Sequence, residues 1–169
     1  MIRGGYQCGS DVDLSEDVHP NNAILGDRVR IRPLTILFGS KEHPLEIGND
    51  VYVNANCWFH GAAAPLKIGN NVSFGPGVRI FTDSGPNTCT LLQDVYPLSE
   101  GPVTIEDQVW VGTGAIIMPG VTIGHGSVIG ALSIVKENVP PHSVVAGIPA
   151  KIIKTLDTHR THCHVCSIH

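Results

Sequence analysis

The sequence predicts an all-β fold, a parallel β-helix wound from six-residue units. Two observations carry this: an aliphatic or aromatic residue recurs at every sixth position over most of the chain, and the composition favours corners over helices. Glycine and proline number 19 and 12 in 169 residues, against 15% charged and 5% aromatic side chains, a balance suited to short strands joined by tight turns. The length fits one domain with a core of useful size.

The repeat runs Leu25-Gly26, Ile31, Leu37; then Ile47-Gly48, Val53, Phe59; then Ile68-Gly69, Phe74-Gly75, Ile80. It resumes at Ile105, Val111-Gly112 and Ile117, and continues through Ile123-Gly124, Ile129-Gly130 and Val135. Cys8 and Leu14 extend the step toward the N-terminus. A helical period of 3.6 drifts out of step with this spacing, and strict alternation does not produce it. Six residues supply a short strand and a corner, and three such units close a triangular coil of about eighteen residues. Each sixth apolar side chain then points inward and stacks on its counterpart one coil away. The glycine beside it is expected to give the corner its backbone freedom.

Coils start at Ile47, Ile68, Ile105 and Ile123, spaced 21, 37 and 18 residues apart. The first interval holds a small insertion and the second a long loop, at about 81–104. A long loop on a rigid scaffold is a natural carrier of function. The chain turns at Pro140-Pro141, and residues 150–156 read as a short C-terminal helix. Residues 1–156 thus form one β-helix domain. Residues 157–169 form a tail rich in His and Cys, read as a flexible polar segment. Cys163 and Cys166 could bind zinc, but no second ligand pair has finger-like spacing.

A net charge of −4 gives no general attraction to nucleic acid or to an anionic membrane. The N-terminus has no apolar signal core, and no run is long enough to span a bilayer. Five cysteines cannot all pair within the chain, so reduced thiols in a cytoplasmic protein are the expectation.

Residues 105–156 resemble the hexapeptide acyltransferases, especially the galactoside, maltose and serine acetyltransferase branch. The resemblance rests on Val109-Trp110-Val111-Gly112, Pro119-Gly120-Val121-Thr122-Ile123-Gly124 and Ala146-Gly147-Ile148-Pro149-Ala150-Lys151 in combination. It implies a left-handed β-helix, where ordinary parallel crossovers are right-handed. It also implies a homotrimer that binds acetyl-CoA between neighbouring subunits. Thr113 matches the position whose backbone N–H faces the thioester carbonyl. Such a donor stabilises the tetrahedral oxyanion, an effect of about 3–4 kcal/mol where a side-chain version has been removed. Ala131 matches a backbone contact to the pantetheine amide. Lys151 and Lys154 match basic residues that approach the nucleotide phosphates. The charge map agrees: no Lys or Arg occurs from residue 80 to 135, after which Lys136, Lys151 and Lys154 follow closely. The family often has Lys where this chain has Glu137, so Lys136 would substitute from the next position.

The acceptor half of the signature departs from the family. A catalytic His is expected at about Gly85, yet Ile80-Phe81-Thr82-Asp83-Ser84-Gly85-Pro86 contains none. An acidic acceptor-binding residue is replaced by Gly61. Asn54 and Asn56 remain on the matching face and, with Ser84, are candidate acceptor contacts; Asn is also a common corner residue. His60 is the nearest alternative base, one coil before Phe81 and close to the loop opening. Its bland reading is a corner residue facing solvent. His125 is more simply a structural corner residue.

Asp83, Asp94, Glu100, Glu106 and Asp107 face no cation between residues 80 and 135. A negative rim of this kind would attract a cationic acceptor such as an amino sugar. An amine also reacts without a strong enzymic base, with Asp83 or the acidic loop holding it. Two mechanisms therefore stand: His60 as general base, or an amine acceptor that needs none, with the second slightly favoured. Two further classes share the architecture. A gamma-class carbonic anhydrase needs three converging His, and no suitable pair lies between His60 and His125. A non-catalytic trimeric scaffold would not bind CoA.

Overall fold

The computed structural model describes residues 5–86 and 88–157. The chain winds as a parallel β-solenoid with three faces. It opens with β1 (Tyr6–Cys8) and β2 (Asp13–Leu14). The first full coil is β3 (Ala23–Leu25), β4 (Arg30–Ile31) and β5 (Ile36–Gly39). The second is β6 (Leu45–Ile47), β7 (Tyr52–Val53) and β8 (Trp58–Gly61), and the third β9 (Leu66–Ile68), β10 (Ser73–Phe74) and β11 (Arg79–Phe81).

The long insertion follows, holding β12 (Asp83–Ser84), the short helix α1 (Thr90–Val95) and β13 (Ser99–Glu100). Winding resumes with β14 (Val103–Ile105), β15 (Trp110–Val111) and β16 (Ile116–Ile117). It continues through β17 (Thr122–Ile123), β18 (Val128–Ile129) and β19 (Ile134–Val135), and ends in β20 (Ser143–Gly147) and β21 (Ala150–Thr155). The first face stacks β1-β3-β6-β9-β14-β17, the second β2-β4-β7-β10-β15-β18-β20-β21 and the third β5-β8-β11-β16-β19.

The six-residue step sets the register. Leu25, Ile47, Ile68, Ile105 and Ile123 pair in one column, and the residues of the repeat from Leu25 to Val135 are buried. A second inward column lies two residues earlier and was not read from the sequence. It holds Val29, Thr35, Val51, Cys57, Val72, Val78, Val109, Ala115, Val121, Ser127 and Ser133, all buried. These smaller side chains fill the space beside each corner, and burial pushes the Cys57 thiol above its usual pKa.

Glycine beside the aliphatic residue serves a different purpose from the one expected. Gly48 has no left-handed φ; a Cβ there would stand 2.7 Å from the Gly69 carbonyl oxygen of the next coil. The close approach of successive coils, not corner freedom, excludes a side chain. The left-handed conformations fall further along each corner. One corner column has Arg28, Asp50, Asn71, Gln108, Gly126 and His142, and another Leu34, Asn56, Gly77, Gly114 and Leu132.

The C-terminal helix expected at 150–156 is instead the strand β21, antiparallel to β20. A helix this short is marginal by itself, whereas β20 offers a row of unpaired backbone groups. Gly147, at φ 106°, lets the chain fold back onto that edge. The register shifts between Val144 and Val145, pairing Lys151 with Ala146 and Lys154 with Val144. Residues three apart in a regular strand point to opposite faces; this bulge returns both lysines to one face. The His/Cys tail lies outside the described residues from 158 onward. No helix among the described residues is long and apolar enough to cross a membrane.

Candidate active site

His60 sits on β8, in register with Phe38 on β5 and Phe81 on β11. Its ring stacks on Phe38, with centroids 5.4 Å apart and planes within 7°. Its Nδ1 lies 3.0 Å from Oδ1 of Asp83. Both side chains are about a quarter exposed, at 28% and 24%. The backbone on either side is fixed: Thr82, fully buried, donates from Oγ1 to the His60 carbonyl and accepts from the Ala64 N–H. Asp83 is carried on the β12–β13 hairpin, opposite Glu100, with Ser84 opposite Ser99. A carboxylate on Nδ1 holds the imidazole in the tautomer whose Nε2 is free to take a proton. The structure therefore joins His60 and Asp83 and gives Asp83 a partner other than an acceptor amine. Phe38 was missed; its signal was the 22-residue spacing to His60, the step between these two coils.

The acidic residues do not form one rim. Asp83 and Glu100 lie in the hairpin and Asp94 on α1, whereas Glu106 and Asp107 stand at the corner between the first and second faces. There they belong to a ladder of side-chain acceptors. Ser10, Asp27, Asn49 and Asn70 each donate a backbone N–H to the side chain one coil on, at Asp27, Asn49, Asn70 and Asp107, over 2.7–2.9 Å. Glu106 accepts the His125 N–H at 2.7 Å.

The opposite situation holds at the corner between the second and third faces. The equivalent positions are Pro33, Ala55, Pro76, Thr113 and Ala131. Proline has no N–H, and Ala55 donates to the Asn54 side chain at 2.8 Å. Thr113 and Ala131 are exposed, and neither N–H has a partner among the described residues. Two unused donors thus lie on consecutive coils, about 4.8 Å apart by strand spacing. Asn54 is occupied in capping its own corner, and Asn56 takes the left-handed position there, the corner duty that asparagine commonly fills.

Lys136, Lys151 and Lys154 are all exposed near this end of the coil. Lys151 lies 3.3 Å from Glu137 Oε1, so an incoming phosphate would compete with that carboxylate. Lys136 and Lys154 have no ion-pair partner among the described residues.

These groups divide into two halves. Ala55, in the Thr113 column, is five residues from His60, about 16 Å of strand, and Thr113 is two coils further, about 10 Å along the axis. His60 and Asp83 therefore do not meet Thr113 within one chain, and Asn54 and Asn56 lie with the Thr113 half. Ser84 lies with His60. No group of three or more His, Cys, Asp or Glu among the described residues is placed to hold a metal.

The sequence profile described as bacterial transferase hexapeptide (six repeats) matches residues 102–137. Over 141 residues the chain is 35% identical to galactoside O-acetyltransferase of Escherichia coli, covering 83% of this chain and 67% of that protein. A Schizosaccharomyces pombe protein provisionally named an acetyltransferase is 38% identical over 130 residues, which are 74% of this chain but 58% of that protein. Among solved structures, a variant of AntD, an N-acyltransferase from Bacillus cereus bound to dTDP-4-amino-4,6-dideoxyglucose and coenzyme A, superposes with a TM-score of 0.79. It covers 89% of this chain and 83% of AntD at 23% identity, a likeness of fold. A hexapeptide-repeat acetyltransferase from Vibrio cholerae, complexed with acetyl coenzyme A, gives a TM-score of 0.61 at 28% identity, over 92% of this chain and 73% of that one. With the coil register, the second small-residue column and these relatives in agreement, the chain belongs to the hexapeptide-repeat transferase family.

Proposed function

We propose that the protein transfers an acyl group, acetyl in the first instance, from acyl-CoA to an amine or hydroxyl of a small molecule such as an amino sugar. The observation that carries this reading is the pair of unused N–H donors at Thr113 and Ala131. On the ladder corner four successive N–H groups from Ser10 to Asn70 are met by side chains, so donors left free on a rigid edge are a place for an extended chain with carbonyl acceptors. The pantetheine arm of CoA is such a chain. Thr113 N–H would receive the thioester oxygen and stabilise the oxyanion, and Ala131 N–H an amide carbonyl. Lys154 and Lys136, with Lys151 once released from Glu137, would meet the phosphates.

The acceptor is activated from the other half of the site. His60 Nε2 removes its proton as it attacks the thioester carbon, and Asp83 stabilises the imidazolium that forms. The C–S bond breaks as the tetrahedral intermediate collapses, and the His60 imidazolium returns its proton to the sulfur, so CoA leaves as the thiol. Because the halves are far apart in one chain, the working site takes Thr113 from one subunit and His60 from a neighbour. The outer side of the third face supports such an assembly. Ile36, Phe38 and Trp58 are 50%, 37% and 41% exposed there, apolar surface that a second copy would cover. A homotrimer is the closed form expected.

The test is CoA binding by calorimetry, followed by a screen of amines, amino sugars and sugar alcohols for acceptor-dependent thiol release. The reading predicts release with at least one acceptor and a trimer by light scattering. No affinity for CoA would end the reading, and a monomer with full turnover would remove the shared site.

A further inference from the structure

The corner that carries Thr113 and Ala131 has a second peculiarity. Among its left-handed residues, Asn56, Gly77 and Gly114 are of types that adopt this conformation readily, but Leu34 and Leu132 are not. Leu34 has φ 60° and Leu132 φ 57°, and their side chains gain little burial, being 69% and 68% exposed. The two leucines carry the same backbone strain in the same corner, four coils apart.

Their surroundings differ. Leu34 donates its N–H to Asp17 Oδ2 at 2.6 Å, and the residue before it, Pro33, has no N–H to offer. Leu132 directly follows Ala131 and donates its N–H to the Thr113 carbonyl at 2.8 Å. Its Cδ2 lies over Gly114, 2.8 Å from where a Cβ would stand. The side chain thus lies on the corner surface beside Gly114, next to the coil step that carries the two unused N–H groups.

We propose that Leu132 is a donor-binding residue, an apolar wall against which the methylene segments of an amide-bearing chain lie. This rests on the donor reading above and extends it to a named side chain. A chain accepting hydrogen bonds from both Ala131 and Thr113 must pass Leu132, and its methylenes need cover from water. Burying about 60 Å² of leucine in that contact corresponds to about tenfold in affinity. At Leu132 the strained conformation presents the leucine at the edge where those donors lie.

The experiment compares Leu132→Gly and Leu132→Asn with Leu34→Gly in the full chain. Glycine relieves the same strain at both sites, so both glycine variants should unfold about 2–4 °C higher than the parent. Only the Leu132 variants should weaken CoA binding and raise the KM for acetyl-CoA, each by about tenfold, with kcat within about twofold of the parent. Asparagine tolerates the left-handed conformation and keeps the measurement if the glycine variant folds poorly. An unchanged CoA affinity in the Leu132 variants overturns the proposal, as does an equal loss in Leu34→Gly. If the parent protein itself binds no CoA, the donor reading fails and takes this proposal with it. If the parent binds and the Leu132 variants bind as well, this proposal alone fails.

Discussion

The His60–Asp83 pair gives the most discriminating perturbation. Replacing Asp83 by Asn keeps the size of the side chain and removes its charge. The bond to Nδ1 is 3.0 Å long and about three quarters shielded on both sides, so a charge-assisted contribution of about 1.5–3 kcal/mol is a fair measure of its worth to the imidazolium. If it acts in the transition state, that converts to a loss of about 10- to 100-fold in kcat. Removing the imidazole with His60→Ala should cost about 100-fold or more.

The assay is thiol release at saturating acetyl-CoA over a range of acceptor concentrations. Added imidazole should restore part of the activity of His60→Ala, an effect that loss of structure would not show. An alternative role for Asp83, holding an acceptor amine directly, predicts another pattern. Asp83→Asn would then raise the acceptor KM with little change in kcat, and His60→Ala would lose less than about tenfold while its rate rose with pH as more free amine formed. That pattern, with CoA affinity intact, refutes the assignment of His60 as base.

Replacing Lys151 and Lys154 together by Ala should weaken CoA binding about 10- to 100-fold at low salt and leave folding unaffected, because both are exposed on one face of β21; calorimetry with a thermal melt checks both. Gly48→Ala should destabilise the solenoid by about 2 kcal/mol, lowering the unfolding midpoint by about 4–8 °C, since its Cβ would meet backbone of the next coil at 2.7 Å. A melt unchanged from the parent would show that the coils are less tightly stacked than this.

Much of the solenoid was legible because its period is a one-dimensional property. A residue at every sixth position has to face one side of a three-faced coil, and Leu25 through Val135 do so without exception. The loop between Ile80 and Ile105 was equally plain, as a break in the count. The strand β21 was not, because Ala150 to Thr155 acquires its conformation from the open edge of β20, a partner no local pattern announces. The side-by-side placement of Lys151 and Lys154 likewise depends on a bulge that only the pairing reveals. Phe38 was passed over for a related reason, since its contact with His60 is made across coils.

The sequence by itself determined the repeat, the core column, the position of the insertion and the family resemblance; through that resemblance it singled out Thr113 and Ala131 as candidates, and where the chain departs from the family it singled out His60 and Asp83. It could do so because spacing and residue type are written along the chain. Only the tertiary structure decided which of these groups meet. It closed Asp83 onto His60, through a hairpin that returns the loop to its own coil. Among the described residues it left the Thr113 and Ala131 N–H groups without partners, because the side chains that serve the neighbouring corner are absent from theirs. And it set the two halves of the proposed site at opposite ends of one face, since strand length and coil rise fix distances that no motif records.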